Sequence, residues 1–167
     1  MGGYIGDVRY NKTRCFETFP FPELTGQQKT TIGDLAEKID QHRKTQQAQH
    51  PGLTLTNIYN VLEKLRKDEV LDKKEQLINQ QGLVSILSEL HHELDRQVFA
   101  AYGWGDLADA LVGKAGATTP LPDKSDDQAQ AEEELLSRLV ALNHERAAEE
   151  KAGKVRWLRP DLSLIHI

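Results

Sequence analysis

Only one cysteine, Cys15, occurs in the 167 residues. An internal disulfide and a thiolate metal cluster are therefore both excluded, which fits a reducing compartment. As a nucleophile Cys15 would need a positioned base, and nothing near it in the sequence supplies one. Long hydrophobic runs are missing as well, since no apolar stretch approaches the roughly 18 residues that cross a bilayer. The sequence thus predicts no membrane role. The opening residues Met1-Gly2-Gly3-Tyr4-Ile5-Gly6-Asp7 lack a basic segment followed by an apolar one, so no secretory signal is expected and the expected location is the cytoplasm. No internal repeat of fixed period is present, which argues against a solenoid. Positive charge is not in excess either. The formal net charge is -5, whereas a surface given over wholly to nucleic acid would carry clustered Lys and Arg.

What is present suits a protein rich in surface helices: 38% hydrophobic and 28% charged residues with a mean hydropathy of -0.57. The length allows one domain with a real core, or one domain and a trailing arm. Residues 1–21 contain Gly2, Gly3, Gly6, Tyr4, Tyr10, Phe16, Phe19 and Phe21 without helical period. Because each residue before a proline is pushed toward extended backbone, they read as a strand-and-loop remnant. Thr25-x-x-Gln28 is a capping box, and Ile32, Leu35, Ala36 and Ile39 follow at helical spacing, which predicts a helix over about 26–48. His50-Pro51-Gly52 should end it.

A second helix is predicted from Thr56 as N-cap to about Lys67, with Ile58, Tyr59, Leu62 and Leu65 on one side. Asp72-x-x-Glu75 opens a longer element whose seam is Leu83, Val84, Leu87, Leu90, Leu94, Val98 and Ala101. Gly82 lies within it and predicts a kink or break there, since mid-helix glycine costs about 1 kcal/mol against alanine. Tyr102-Gly103-Trp104-Gly105 should terminate it, and Asp106 to Val112 could add one or two turns. Small residues, Pro120, Pro122 and Asp123, Asp126 and Asp127 mark 113–127 as a linker. From Ala131 to Lys151 a final helix places Leu135, Leu136, Leu139 and Leu142 on one face, followed by Val155, Trp157 and Leu158 as an anchor. The expected fold class is mainly α, a bundle of about four to five helices preceded by a short strand and loop remnant.

Several stretches mimic catalytic motifs. Glu89-x-x-His92 has the spacing of one di-iron ligand pair, but such a site needs a second Glu-x-x-His and two more inward carboxylates, and no second motif exists. The plainer reading is a solvated helix face, and no metal ligand is assigned. Pro122-Asp123 with Glu149-x-Lys151 matches a metal-nuclease pattern formally, yet Asp123 falls in the linker and Glu149 in a helix rather than on adjacent strands. Gly113-Lys114-Ala115-Gly116-Ala117-Thr118-Thr119 lacks the order of a phosphate loop. A triad of Ser85 or Ser88 with His91 would sit on one helix with no oxyanion site. No catalytic residue is assigned.

The local charge is more informative than the sum. Both ends are basic: Arg9, Lys12 and Arg14 near the start, and Lys151, Lys154, Arg156 and Arg159 with no acid between them near the end. Within the run Asp7 to Arg14, the residues Arg9, Tyr10, Asn11, Lys12 and Arg14 are of the types that grip phosphates and read base edges, and they are the DNA-contact candidates. An ordinary polar loop has the same composition.

Four stretches taken together resemble a known family: "VRYNKTRCFETFPFPELTGQQKTTIGDLAEKIDQHRK", "GLTLTNIYNVLEKLR", "QGLVSILSELHHELDRQVFAAYGW" and "RLVALNHERAAEEKAGKVRWLRP". The resemblance is to the C-terminal region of single-chain, MmeI-like restriction-modification DNA adenine methyltransferases. It covers roughly residues 7 to 160. It implies that 1–21 is the tail of a target-recognition domain, 22–112 a helical C-terminal domain, 113–127 a linker and 128–160 a C-terminal helix and anchor, with 161–167 a non-native end. S-adenosylmethionine and the Asn-Pro-Pro-Tyr motif that holds a flipped adenine belong to a core that has no counterpart here, so the resemblance implies an inactive chain without cofactor. Its implied partners are double-stranded DNA and the methyltransferase and recognition domains of the parent polypeptide. Two other readings stand beside it: a free-standing helical protein-interaction module, and a metal enzyme built around Glu89 and His92.

Overall fold

The computed structural model describes residues 19–115 and 124–154. Its α-helices are α1 (Gly26–Gln49), α2 (Leu55–Arg66), α3 (Lys73–Gly82), α4 (Val84–Tyr102), α5 (Ala108–Leu111) and α6 (Asp126–Lys151), with a 3-10 turn over Gly105–Leu107. Among the described residues there is no strand, and the expected strand remnant lies largely outside them. The fold is mainly α, a helical bundle. No helix in the described residues is long and apolar enough to cross a membrane. Two compact units divide the chain: Pro22–Glu134, and a second that takes the described residues before Pro22 and after Glu134.

Local chemistry sets the helix ends. Thr25 and Gln28 form a complete capping box, as do Asp72 and Glu75. For α2 the cap is Thr54, not Thr56: the Thr54 hydroxyl accepts the Asn57 N–H at 3.2 Å. Two residues ahead of the expected cap, Thr54 also brings Leu53 to the position that staples onto Ile58 inside the first turn, and both are buried in the core. The C-termini of α2 and α4 close by Schellman pairing. After α4, Gly103 takes φ 73, and Gly103 and Trp104 N–H groups bond Ala100 and Phe99 carbonyls. After α2, Asp68 fills the same left-handed role at φ 54, donating to the Leu65 carbonyl while Glu69 donates to that of Lys64.

The long element breaks beside Gly82, but the left-handed residue is Leu83 at φ 45 and ψ 49. Space at 82 is tight. A Cβ there would lie 3.1 Å from Val84 Cγ2 and 3.4 Å from Ile58 Cγ1. The break also frees a carbonyl, because Ile86 N–H turns to Leu83 instead of Gly82. His42 Nε2 on α1 donates to the Gly82 carbonyl at 2.8 Å, which satisfies it.

The core of the larger unit is Ile39, Leu53, Ile58, Val61, Leu62, Val84 and Leu87, flanked by Tyr59, Leu65, Leu71, Ile78, Leu90 and Leu94. α4 is the spine, packed by α1, α2 and α3. On α1 the inward face begins at Leu35 and Ile39 and continues through the buried amide of Gln46, while Ala36 is exposed despite its expected place on the seam. Val98 and Leu83 of the predicted α4 seam are also exposed. Leu107, Ala108, Val112 and Ala131 are buried outside the main cluster.

α6 begins at Asp126, five residues before the Ala131 start expected from apolar spacing. Ser125 caps it, its hydroxyl accepting the Gln128 N–H at 3.2 Å. The Gln128 side chain is buried and donates to the Ala115 carbonyl at 3.0 Å, and the nearly inaccessible Lys124 side chain pairs with Glu132 at 2.6 Å. In the smaller unit, Leu135, Leu139 and Leu142 are half-buried on α6. Leu136 is 63% exposed and does not share their face. In the same unit Phe21 N–H bonds the Phe19 carbonyl at 2.9 Å across Pro20, a three-residue turn that the proline ring presets, and the Phe19 and Phe21 rings meet edge to face at 5.0 Å.

Candidate functional site

The DNA-contact candidates Arg9, Tyr10, Asn11, Lys12 and Arg14 lie outside the described residues. Of the motif look-alikes, Glu89 and His92 face each other loosely, with His92 Nδ1 3.9 Å from a Glu89 oxygen and the Glu89 side chain 80% exposed. His92 Nε2 is instead 3.2 Å from Ser88 Oγ, so Ser88 meets His92 and not His91. Among the described residues no group of three His, Cys, Asp or Glu side chains is placed to hold a metal ion. Glu149 pairs with Arg146 at 3.2 Å and Lys154 at 3.1 Å. Asp123 lies outside the described residues. Gly113 sits against the His92 ring, which is packing rather than phosphate binding.

The polar residues that the fold gathers are different ones. α1 supplies Arg43, α2 supplies Tyr59 and Arg66, and α4 supplies His91 and Asp95. All five are half-buried. Arg43 Nη1 donates to Tyr59 Oη at 3.3 Å, and Arg43 Nη2 pairs with Asp40 at 3.3 Å. Tyr59 Oη lies 2.9 Å from His91 Nε2, with the two rings edge to face at 5.6 Å. Burial pushes the His91 imidazole below its ordinary range; the Asp95 carboxylate opposes this, and Arg66, Arg43 and His92 add to it. Burial likewise raises Asp95, against the pull of Arg66, His91 and His92. Arg66 Nε is buried without a hydrogen-bond partner, although the same guanidinium reaches Glu63 at 3.8 Å. Desolvated titratable groups with specific charged neighbours, gathered from three helices, are the feature by which functional sites stand out.

Sequence reasoning missed this cluster. Tyr59 counts as an apolar seam residue by spacing, and Arg43 sits in a polar run, so neither announces the other. The one usable signal was the pair His91-His92 beside Asp95 on a leucine-rich helix, with His91 one turn beyond Leu87. Next to the cluster, Lys38, Gln41, His42, Thr45, Gln46 and Leu90 line an open depression of about 360 Å³ between α1 and α4. It is wide to solvent and holds no converging set of catalytic groups.

No protein-family model, curated protein or solved structure matches the chain.

Proposed function

We propose that this chain is the helical C-terminal region, with the tail of a target-recognition domain, of a cytoplasmic, S-adenosylmethionine-dependent DNA adenine methyltransferase of a restriction-modification system. Its role is to buttress the recognition domain and to add backbone contacts on duplex DNA, with Arg9, Tyr10, Asn11, Lys12 and Arg14 the contact residues. The observation that carries the reading is the sequence resemblance, and what supports it is where its segments fall. "GLTLTNIYNVLEKLR" becomes the end of a loop and α2, "QGLVSILSELHHELDRQVFAAYGW" becomes α4 with its capping turn, and together they provide Leu53, Ile58, Val61, Leu62, Val84 and Leu87, most of the main core.

The chemistry belongs to a methyltransferase core elsewhere in the parent, so the isolated chain should transfer no methyl group. Incubated with unmethylated genomic DNA and radiolabelled cofactor, it should incorporate background counts, and clear incorporation refutes the assignment. It should bind duplex weakly, with affinity falling as salt rises. Arg9, Lys12 and Arg14 changed together to alanine should flatten that salt dependence by up to about 2.7 in log–log slope, roughly 0.9 for each phosphate no longer neutralised. An unchanged slope removes these residues from the DNA.

A second reading is favoured by one observation: Leu136 and Val140, one turn apart on α6, are 63% and 48% exposed. As a free-standing interaction module the chain would use such a face for a protein partner. It would then show no duplex affinity even at low salt.

A further inference from the structure

Two side-chain amides are buried among the described residues, Gln46 at 8% and Gln128 at 6% exposure. Gln128 is tied down, donating to the Ala115 carbonyl at 3.0 Å and to Glu132 at 3.1 Å. The Gln46 amide has no hydrogen-bond partner among the described residues. Its polar atoms keep a path to solvent, unlike the sealed Arg66 Nε and Asn79 Oδ1. That path is the depression of about 360 Å³ that Gln46 lines between α1 and α4. Buried amides are ordinarily paired inside the fold. One left unpaired at the wall of a depression is set to pair with what enters it.

The rest of the wall is largely preformed. Lys38, Gln41, His42, Thr45 and Gln46 recur at i, i+3, i+4, i+7 and i+8 on one face of α1, with Leu90 of α4 completing the lining. A carbonyl can only accept, so His42 Nε2 donates to that of Gly82 at 2.8 Å and the ring is held in place. Leu90 packs against the main core. Lys38, Gln41 and Thr45 are exposed at the rim. Lys38 brings the one ammonium, and none of the lining residues is acidic. The neighbouring Asp40 is taken by Arg43 at 3.3 Å and Lys44 at 2.6 Å.

We propose that this depression binds a nucleoside monophosphate, its phosphate at the rim on Lys38, Gln41 and Thr45, its base against Leu90 and its base edge on the Gln46 amide. The charge of the wall calls for an anion. A lone lysine, a compact point charge, suits a phosphate, whereas the fork of an arginine suits a carboxylate. Threonine and glutamine side chains are ordinary phosphate partners. Lys38 and Gln46 stand about 12 Å apart along the helix axis, eight residues at about 1.5 Å each. A ligand touching both therefore carries its charge and its hydrogen-bonding edge at opposite ends. A carboxamide presents a donor and an acceptor side by side, the pairing that glutamine makes with N7 and N6 of adenine, so AMP is the expected ligand. The volume falls within the range of small-molecule sites, about 300–1,000 Å³. None of this depends on the DNA reading.

The test uses the full chain and titration calorimetry. AMP is titrated into the wild type, Lys38→Ala and Gln46→Leu, with inorganic phosphate, adenosine and a short DNA duplex as separate probes. AMP should saturate one site, and phosphate and adenosine, each reaching only one end, should bind at least about tenfold more weakly. Lys38→Ala should weaken AMP about tenfold through loss of a charged hydrogen bond and leave adenosine unchanged. Gln46→Leu should weaken AMP and leave phosphate unchanged. Without ligand it should melt no lower than the wild type, because an apolar side chain of similar size needs no partner; a purely structural glutamine would give a lower melt instead. The duplex should not displace AMP, since Gln46 is only 8% exposed. Absence of saturable AMP binding up to about 10 mM overturns the proposal. So does phosphate binding as tightly as AMP, displacement of AMP by the duplex, or unchanged AMP affinity in either variant. Should Gln46→Leu fail to fold, Gln41→Ala at the exposed rim replaces it and should weaken AMP and phosphate alike; unchanged AMP affinity there overturns the proposal too.

Discussion

Replacing Gly113 by alanine tests a contact that no local rule foresees. Gly113 has φ 74, and a Cβ added to it would lie 2.9 Å from both Cε1 and Nε2 of His92. Two penalties arise together. An L-residue in the left-handed region costs about 1–2 kcal/mol, and overpacking a fixed neighbour costs about 1–3 kcal/mol more. The neighbour is not free to swing away, because the ring is held at Ser88 Oγ, 3.2 Å distant, and its side chain is only 20% exposed. Alanine restricts the unfolded chain, which offsets at most about 1 kcal/mol. The expected loss is therefore about 1–5 kcal/mol, centred near 3, a substantial part of the 5–15 kcal/mol by which a protein is ordinarily stable. It should be read as a lower urea midpoint with an unchanged slope. His92→Ala separates the two penalties: in that background only the backbone cost less the same unfolded-chain offset, about 0–2 kcal/mol net, should remain. Equal losses in both backgrounds would show that the ring contact contributes nothing. A loss under about 0.5 kcal/mol in the wild-type background would refute the left-handed conformation itself.

The remaining predictions concern a cap and the core. Thr54→Ala should destabilise the chain by about 1 kcal/mol through loss of the α2 cap, whereas Thr56→Ala, exposed and already inside the helix, should change stability by less than about 0.5 kcal/mol; the reverse ranking in urea unfolding would restore Thr56 as the cap. Leu87→Ala empties a site with 0% exposure and should cost about 2–5 kcal/mol. A loss below about 1 kcal/mol in the same assay would mean that α4 does not present Leu87 to the core.

Where the sequence was legible, the chemistry involved lies within a few residues. Thr25-x-x-Gln28 and Asp72-x-x-Glu75 are complete capping boxes, and Ile58, Val84 and Leu87 are the most buried of the residues that helical spacing selected. Where two local signals compete, spacing alone misleads. Thr54 and Thr56 offer identical hydroxyls, and the choice falls to the one that lets Leu53 and Ile58 meet. Ser125-x-x-Gln128 is a start signal hidden inside apparent linker composition, so α6 opens earlier than its leucines suggest. Ala36, by spacing a core residue, is exposed, while Gln46 is buried; a hydrophobicity pattern cannot anticipate a buried amide.

Helix existence, the caps and the break near Gly82 are thus local matters, because each rests on groups within a turn or two of one another. The core of the larger unit is not. Gly82 is closely approached by Val84 and by Ile58 from another helix, its carbonyl is taken by His42 from a third, and Arg43, Tyr59 and His91 are separated by 16 and 32 residues along the chain. A donor finds its acceptor across such distances only after the apolar faces have packed. Which polar groups end up desolvated together, and hence which residues can titrate abnormally, was decided by that packing alone.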